Sequence, residues 1–368
     1  MAVERNKRSK VLDLSAPAAV EAEIDVAEAA EVLMSICALG DRDDYDTFDL
    51  GEEWLKERLE TAPPDLLRAI DALKLGELKV AAHLLGIVYE TPRPRTFASF
   101  LERLRATDAI ELKKHLFGCY GSNATHLSAP DVIDRAAAGD SAAKEEFLAS
   151  LVEYSEKYES ARILLEADGE DLKTQFLDLL PRWYEHVFLP YSQEWSEAAE
   201  RDADVKRGLA RSHSPEQLTE LVTRGYQYTP APGIRTLAFF PSWWMRPWVI
   251  LWEHKGTKIF CYPIAPAPEE GASPGEIARV YKALGDEGRL RLLRRLSDGP
   301  VTLGEAAAEL GLAKSTAHHH LAILRHAGFV TIRDEDENVY SLRRDLLPQA
   351  GELLTAYLGS ARSSSTIA

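Results

Sequence analysis

The sequence has few cysteines and no long apolar run, and both absences limit what the chain can be. Its 368 residues include three cysteines, Cys37, Cys119 and Cys261, which lie far apart without paired spacing. Isolated thiols are typical of a reducing compartment and argue against a disulfide framework or a thiolate metal site. No apolar run approaches the ~20 residues of a membrane span, and the basic start lacks the apolar stretch of a secretory signal. We therefore predict a cytoplasmic protein with no membrane partner.

Motifs that indicate catalysis or cofactor binding are also missing. The sequence contains no glycine-rich phosphate loop, no nucleophile elbow and no metal-spaced set of histidine, cysteine and carboxylate residues. His115 and His126 lie near Cys119, but their spacing is too loose to predict a metal site. We expect no catalytic residue, no cofactor and no metal.

Negative charge is plentiful but unevenly distributed. A net charge of −16 ordinarily speaks against nucleic acid as a partner. From Ser273 onward, however, the chain holds 12 basic and 12 acidic residues, so nearly all the excess negative charge lies before that point. The C-terminal part is electrically neutral, whereas the acidic part cannot bind DNA on its own charge.

A stretch rich in proline, glycine, alanine and serine, residues 265–272, predicts a linker between two domains. Before it, we predict a flexible tail over residues 1–15 and, over residues 16–264, a domain that binds an effector or mediates dimerisation. After it, residues 273–358 form a second domain and residues 359–368 a disordered tail.

The first domain reads as mainly helical with a smaller α+β part. A possible strand in AVEAEIDVA precedes a series of segments with helical apolar periodicity, one of which begins at Ser214 as its N-cap. Between about residues 235 and 264, aromatic and β-branched residues replace that periodicity, and Lys255-Gly256 predicts the turn of a β-hairpin.

This aromatic-rich segment carries four tryptophans, Trp243, Trp244, Trp248 and Trp252. Such a cluster can line an apolar pocket for a small-molecule effector. It is equally typical of a core or subunit contact built from large rings. We take the four tryptophans as candidate ligand-binding residues and leave both interpretations open.

The C-terminal domain has the element order of a winged helix-turn-helix. Two helices precede a third that starts with a Thr302–Glu305 capping box, and a tight turn leads into a fourth. Two alternating segments then predict a hairpin, with a polar turn at Glu335 to Glu337, and a last helix follows.

Three consecutive histidines, His318 to His320, lie in the fourth helix. A metal site, a catalytic base and a surface role are the three interpretations. Because successive helical side chains point about 100° apart, the three rings cannot converge on one ion. Ala317, Leu321 and Leu324 mark the buried stripe, so His318 and His319 point outward while His320 flanks the core as a hydrogen-bonded residue. The outward face of such a helix is the one that enters a DNA major groove.

The segment LGDEGRLRLLRRLSDGPVTLGEAAAELGLAKSTAHHHLAILRHAGFVTIRDEDENVYSL resembles the DNA-binding domain of ArsR/SmtB-type bacterial transcriptional regulators. The resemblance is carried by Leu284-Gly285-Asp286, the run from Ser315 to Leu321, and Leu324-Arg325-x-Ala327-Gly328. It implies a homodimer joined through the first and last helices of the module. It also implies a recognition helix, residues 314–327, that binds a palindromic double-stranded operator, and repression relieved by a ligand.

Carried over position by position, the resemblance assigns DNA contacts to the recognition helix and the wing. The predicted contacts are Lys314, Ser315, Thr316, His318 and His319 on the helix, Arg325 and Arg333 on phosphates, and Tyr340 and Arg343 at the base of the wing. Tyr340 also fits a hairpin-core residue and Arg343 a solvated face. The acidic wing tip, residues 334–337, departs from the pattern because it would repel phosphates.

A second departure is the absence of the thiol and histidine ligands that metal sensors of the family carry. The helix before the recognition helix, Glu305 to Glu309, has no sulfur, and the final helix has no histidine. We predict a homodimeric DNA-binding regulator that is not an enzyme. The alternatives are an enzyme with chemistry in residues 16–264, in which the winged helix serves autoregulation or dimerisation, and a module that binds only proteins.

Overall fold

A computed structural model describes residues 20–76, 79–120, 128–152, 155–264, 274–333 and 338–360. The predicted linker, the tail before residue 20, the wing tip and His126 lie outside the described residues, as do residues 361–368. None of the described helices combines the length and the apolar character that crossing a bilayer requires.

The N-terminal part is mainly helical. Its helices are α1 (Glu28–Gly40), α2 (Glu52–Thr61), α3 (Pro64–Ala72), α4 (Leu85–Glu90), α5 (Phe97–Ala106), α6 (Ala109–Leu116), α7 (Pro130–Ala137), α8 (Ser141–Ser150), α9 (Ser155–Glu166), α10 (Gly169–Trp183), α11 (Ser192–Ala210) and α12 (Pro215–Thr223). Helix α1 is apolar almost all round and lies at the centre of this core. Helix α12 begins at Ser214, as predicted, with a capping box completed by Gln217.

A four-stranded sheet packs against these helices. It contains β1 (Glu21–Ile24), β3 (Thr236–Ser242), β4 (Ile250–His254) and β5 (Thr257–Pro263), in the order β1-β3-β5-β4. Strands β4 and β5 form the hairpin around Lys255-Gly256, but β1, β3 and β5 run parallel. The sequence did not predict this parallel pairing, because the strands that pair lie in distant parts of the chain.

The C-terminal part is a winged helix-turn-helix. Its helices are α13 (Pro274–Leu284), α14 (Glu287–Leu296), α15 (Leu303–Leu310), α16 (Lys314–His326) and α17 (Gln349–Ser360), and its strands are β6 (Val301–Thr302), β7 (Val330–Arg333) and β8 (Val339–Leu342). The predicted capping box of Thr302 and Glu305 is formed. The Asp286 side chain caps α14 by accepting a hydrogen bond from the Arg289 backbone N–H at 2.9 Å.

The two parts of the chain share one sheet and one hydrophobic cluster. Strand β2 (Tyr226–Gln227) pairs in parallel with β7, so the second sheet has the order β2-β7-β8-β6. The Tyr226 ring lies 5.5 Å from that of Phe260 in the first sheet. Leu321 and Leu324 of α16 belong to the same buried cluster as Phe260. The N-terminal part therefore positions the helix-turn-helix directly.

Candidate nucleic-acid interface

Helices α15 and α16 form the helix-turn-helix. Gly311 ends α15 in the left-handed region, with φ of 65°, which glycine adopts without steric cost. Helix α16 then buries Ala317, Leu321 and Leu324, each fully inaccessible to solvent. This is the stripe that the sequence predicts, and it fixes which residues of α16 face outward.

The first half of α16 presents polar side chains to solvent. Lys314, Thr316 and His318 are exposed and His319 is half-buried, while Ser315 lies in the first turn of the helix. A cationic side chain, a hydroxyl and imidazole nitrogens on one surface can donate hydrogen bonds to phosphates and to base edges.

His320 lies beside the buried stripe and is half-buried, as predicted, and the nearest acidic group to its Nδ1 is too far for a hydrogen bond. The closest acidic group is Asp286, whose Oδ1 lies 3.9 Å from His320 Nδ1. That nitrogen has no hydrogen-bond partner among the described residues. Burial lowers the pKa of His320 and outweighs the opposing effect of the Asp286 charge. His320 is therefore a neutral packing residue.

Arg325 differs from its predicted role as a phosphate contact. Its side chain is buried, and Nη1 donates to the backbone oxygen of Thr223 at the end of α12, at 3.0 Å. Burial lowers the pKa of Arg325 to about 10. The guanidinium thus fastens the recognition helix to the N-terminal part, and in this arrangement it cannot reach a phosphate.

The other predicted wing contacts lie in different environments. Tyr340 is buried in the shared cluster, and burial raises its pKa. It is therefore a core residue of the hairpin rather than the DNA contact that the resemblance implies. Arg343 is half-buried and its backbone N–H donates to Phe329. Arg333 lies exposed at the end of β7 and is the predicted wing residue most accessible to a phosphate.

The recognition helix also contacts the N-terminal part through a tryptophan. The ring of His318 stacks on that of Trp248, with 6.1 Å between centroids and 16° between planes. Trp248 Nε1 in turn donates to Thr47 Oγ1 at 3.0 Å. One of the two histidines predicted to read DNA is therefore held by a side chain of the N-terminal part.

A second contact lies at the C-terminal end of α16. His326 Nε2 lies 3.0 Å from Asp49 Oδ2. Burial lowers the pKa of His326 to about 4 despite the nearby carboxylate, so at neutral pH the ring is uncharged and donates its Nε2–H to Asp49. Next to it, Lys282 Nζ of α13 donates to the backbone oxygen of Asp46 at 3.0 Å.

Asp46 and Asp49 belong to an acidic segment, residues 41–49, that follows α1. Asp43, Asp44, Asp46 and Asp49 are all exposed. Because the segment contacts α13 and α16, it brings negative charge next to the helix that carries the predicted DNA contacts. Carboxylates in this position repel a phosphate backbone. Sequence analysis missed this segment, since nothing local in it indicates a docking surface.

The four candidate tryptophans contact different partners. Trp243 and Trp244 pack with Trp54 and Tyr191, and Trp244 is fully buried. Trp252 stacks on His83 with 4.4 Å between ring centroids. Together with the Trp248–His318 pair, these contacts fit the core-and-contact interpretation at least as well as a pocket. Ligand binding by these tryptophans stays a prediction.

Comparison with known proteins identifies the C-terminal part. The family described as a helix-turn-helix domain matches residues 284–333. The chain is 40% identical over 84 residues to the HTH-type transcriptional regulator CmtR of Mycobacterium tuberculosis. The aligned residues cover 22% of this chain and 71% of that protein. It is 38% identical over 71 residues to the uncharacterized HTH-type transcriptional regulator YceK of Bacillus subtilis. These residues cover 18% of this chain and 71% of that protein.

The biofilm growth-associated repressor of Agrobacterium fabrum is 35% identical over 92 residues, which cover 25% of this chain and 77% of that protein. No solved structure matches the chain. The family match contains the helix-turn-helix described above, with its recognition helix and the first strand of the wing, β7. The chain therefore belongs to the ArsR/SmtB family of helix-turn-helix transcriptional regulators.

Proposed function

We propose that the protein is a ligand-responsive repressor that binds a palindromic operator as a homodimer, with the N-terminal part controlling the recognition helix. The observation that carries the proposal is the division of α16. Its first half exposes Lys314 and Thr316, with His318 stacked on Trp248, whereas its second half is fastened to the N-terminal part through Arg325 and His326. Helices of this kind read base edges with their N-terminal residues.

The surface of the first and last helices of the module supports a homodimer. Tyr281 of α13 and Tyr357 and Leu358 of α17 are exposed at 39%, 39% and 61%, although all three are large and apolar. The two helices pack on each other, and Tyr281 Oη donates to the Ala350 backbone oxygen at 3.3 Å. Exposed apolar side chains on adjoining helices are typical of an interface, because burying them against a second copy removes them from water.

Regulation follows from the contacts between the acidic segment and α16. A ligand that shifts the N-terminal part would change the position of Trp248 and Asp49 relative to the recognition helix. Since a ligand shifts an equilibrium only by its differential affinity for two states, the proposed effector must prefer one arrangement of this contact. The N-terminal part has no proposed catalytic role.

Binding of the full chain to the DNA upstream of its own gene tests the proposal. We expect the logarithm of the affinity to fall linearly with the logarithm of salt concentration, as counterions are released from phosphates. The H318A/H319A double variant should lose about tenfold or more in specific affinity, because base contacts carry roughly 1–3 kcal/mol each. H186A is the matched control, since His186 is an exposed histidine of the N-terminal part.

A K314A variant separates phosphate contacts from base contacts. It should weaken specific and non-specific binding alike and reduce the salt slope by about one unit. L358D should convert the dimer to a monomer in light scattering and lower operator affinity. Salt-independent binding, or full affinity in the H318A/H319A variant, would contradict the proposal.

A further inference from the structure

A buried cluster of ionisable side chains lies in the N-terminal part, in a region that the proposed DNA interface does not include. Glu90 ends α4, His115 lies in the last turn of α6, and His254 ends β4. His115 and His254 are exposed at only 3% and 2%. One donor atom from each of the three residues lies within 4.8 Å of the other two.

The Glu90 carboxylate orients the His254 ring. His254 Nε2 lies 3.0 Å from Glu90 Oε1, which also accepts from Lys255 Nζ at 2.6 Å, and Arg103 binds the other carboxylate oxygen. The carboxylate is thus ionised and its pKa is lowered to about 2, since these partners outweigh the effect of burial. Donation from His254 Nε2–H to an ionised carboxylate leaves a lone pair on His254 Nδ1.

That lone pair has no protein partner. Neither His254 Nδ1 nor His115 Nδ1 has a hydrogen-bond partner among the described residues, although both atoms are buried. Burial lowers the pKa of His115 to about 4, so its ring is also uncharged at neutral pH. Buried polar atoms are nearly always paired, with protein, with water or with an ion.

Gly86 lies against the two unpaired nitrogens. It lies in α4 one turn before Glu90. A Cβ atom on Gly86 would lie 2.7 Å from His254 Nδ1 and 2.8 Å from His115 Nδ1. Both unpaired nitrogens therefore lie close to each other against Gly86, and a larger residue at this position would collide with both rings.

We propose that His115 and His254 bind a late first-row divalent cation of the Zn²⁺ or Co²⁺ type through their Nδ1 atoms, in the space beside Gly86. Uncharged imidazole nitrogens are the ligands that such ions prefer. Glu90 fills the position of the carboxylate that accepts the other ring N–H of a metal-bound histidine. Tetrahedral coordination with bonds of about 2.0–2.1 Å would place the two nitrogens about 3.3 Å apart.

The inference does not depend on the proposed DNA binding, because the cluster lies apart from α16. It departs from the sequence-based expectation of no metal site. Glu90 and His254 are 164 residues apart along the chain, and neither has a metal-binding spacing to its neighbours. A water molecule in the same space is the competing occupant, since it would also satisfy two nitrogen lone pairs.

Titration of the metal-free full chain with CoCl₂ and ZnCl₂ tests the proposal. We expect one equivalent of Co²⁺ to give visible d–d absorption, Zn²⁺ to displace it, and Zn²⁺ to raise the melting temperature. H115Q and H254Q should each weaken binding about tenfold or more. H186Q and an H318Q/H319Q variant serve as matched controls that retain the high-affinity site, because these histidines lie elsewhere.

G86A tests the geometry while keeping both ligands. The added methyl group would lie 2.7 Å from His254 Nδ1 and 2.8 Å from His115 Nδ1, so the two rings must move apart and binding should be lost even though both histidines remain. Circular dichroism establishes whether each variant folds. If H115Q or H254Q does not fold, the Co²⁺ absorption of the wild type and the rise of its melting temperature with Zn²⁺ decide whether the site exists. Absence of a stoichiometric Co²⁺ site in the wild type would overturn the proposal and leave water as the occupant. A site that persists in H254Q but disappears in H318Q/H319Q would overturn it as well.

Discussion

His326 Nε2 and Asp49 Oδ2 lie 3.0 Å apart, so the end of the recognition helix is hydrogen-bonded to the acidic segment of the N-terminal part. The two residues are 277 positions apart in the chain. Through this contact, the helix that carries the predicted DNA contacts is held against the N-terminal part.

Neutralising Asp49 should strengthen DNA binding. D49N keeps a hydrogen-bond acceptor for His326 but removes a negative charge next to α16, and with it the repulsion of nearby phosphates. We expect a severalfold gain in operator affinity at low salt that shrinks as salt screens the charge. Binding isotherms at two salt concentrations measure the effect.

The control for this prediction is D171N, which removes the same charge from an exposed residue in the first turn of α10. Equal gains in D49N and D171N would mean that only the total charge matters. A loss of affinity in D49N would mean that the contact supports the DNA-binding arrangement.

Acidification should destabilise the protein through His326. Its pKa is lowered to about 4 in the folded chain by burial, whereas the unfolded value is about 6.5. Between these values the unfolded chain binds the extra proton, so stability is lost as pH falls from about 6.5 towards 4. The contribution at pH 5 is about 2 kcal/mol. Urea unfolding at pH 7 and pH 5 measures it.

An H326Q variant provides the comparison, since glutamine can still donate to Asp49 but does not titrate. The variant should lose less free energy of unfolding than the wild type between the two pH values. An equal loss in both proteins would show that other groups cause the acid sensitivity.

Replacing Arg325 should lower the stability of the folded chain more than it lowers the affinity for DNA. R325M keeps the length of the side chain but leaves the Thr223 carbonyl oxygen without its donor. An unsatisfied buried group costs about 1–3 kcal/mol, and we expect that loss in chemical denaturation.

R333M is the matched substitution on the wing. Arg333 is exposed, so stability should change by no more than about 0.5 kcal/mol while operator affinity and the salt slope decrease. The reverse outcome, a stable R325M with a reduced salt slope, would restore Arg325 to the role of a phosphate contact.

Alanine substitution at Gly76 tests the packing around α1, and the same substitution at Gly208 is the control. A Cβ on Gly76 would lie 2.4 Å from the Cα of Gly40 and 2.9 Å from the Ile36 backbone oxygen. G76A should therefore destabilise the protein by roughly 2 kcal/mol or more, since backbone atoms must move. G208A in α11 meets nothing within 4 Å and should stabilise by up to about 1 kcal/mol. Melting temperatures that shift equally in the two variants would contradict this packing.

The winged module was predictable because its signals are local. The Thr302–Glu305 capping box and the stripe of Ala317, Leu321 and Leu324 each lie within a few residues of each other, and the structure has both. The same applies to the hairpin turn at Lys255-Gly256 and the start of α12 at Ser214.

The contacts that bind the module to the rest of the chain were not predictable in this way. The sequence marks Trp248 only as one of several tryptophans, and Asp49 only as one of many acidic residues. The partners of these residues are decided by how α16 packs on the N-terminal part, which is a long-range outcome. For the same reason the resemblance assigned Arg325 to phosphate, whereas its guanidinium points inward.

The pairing of β2 with β7 bears on how this protein can be dissected. A fragment beginning at residue 273 would lack Tyr226 and Gln227, and the wing strand would then present a row of open backbone groups. Such an edge invites association with other chains, and apolar side chains once covered by Phe260 would face water. The regulator is therefore best studied as the intact chain.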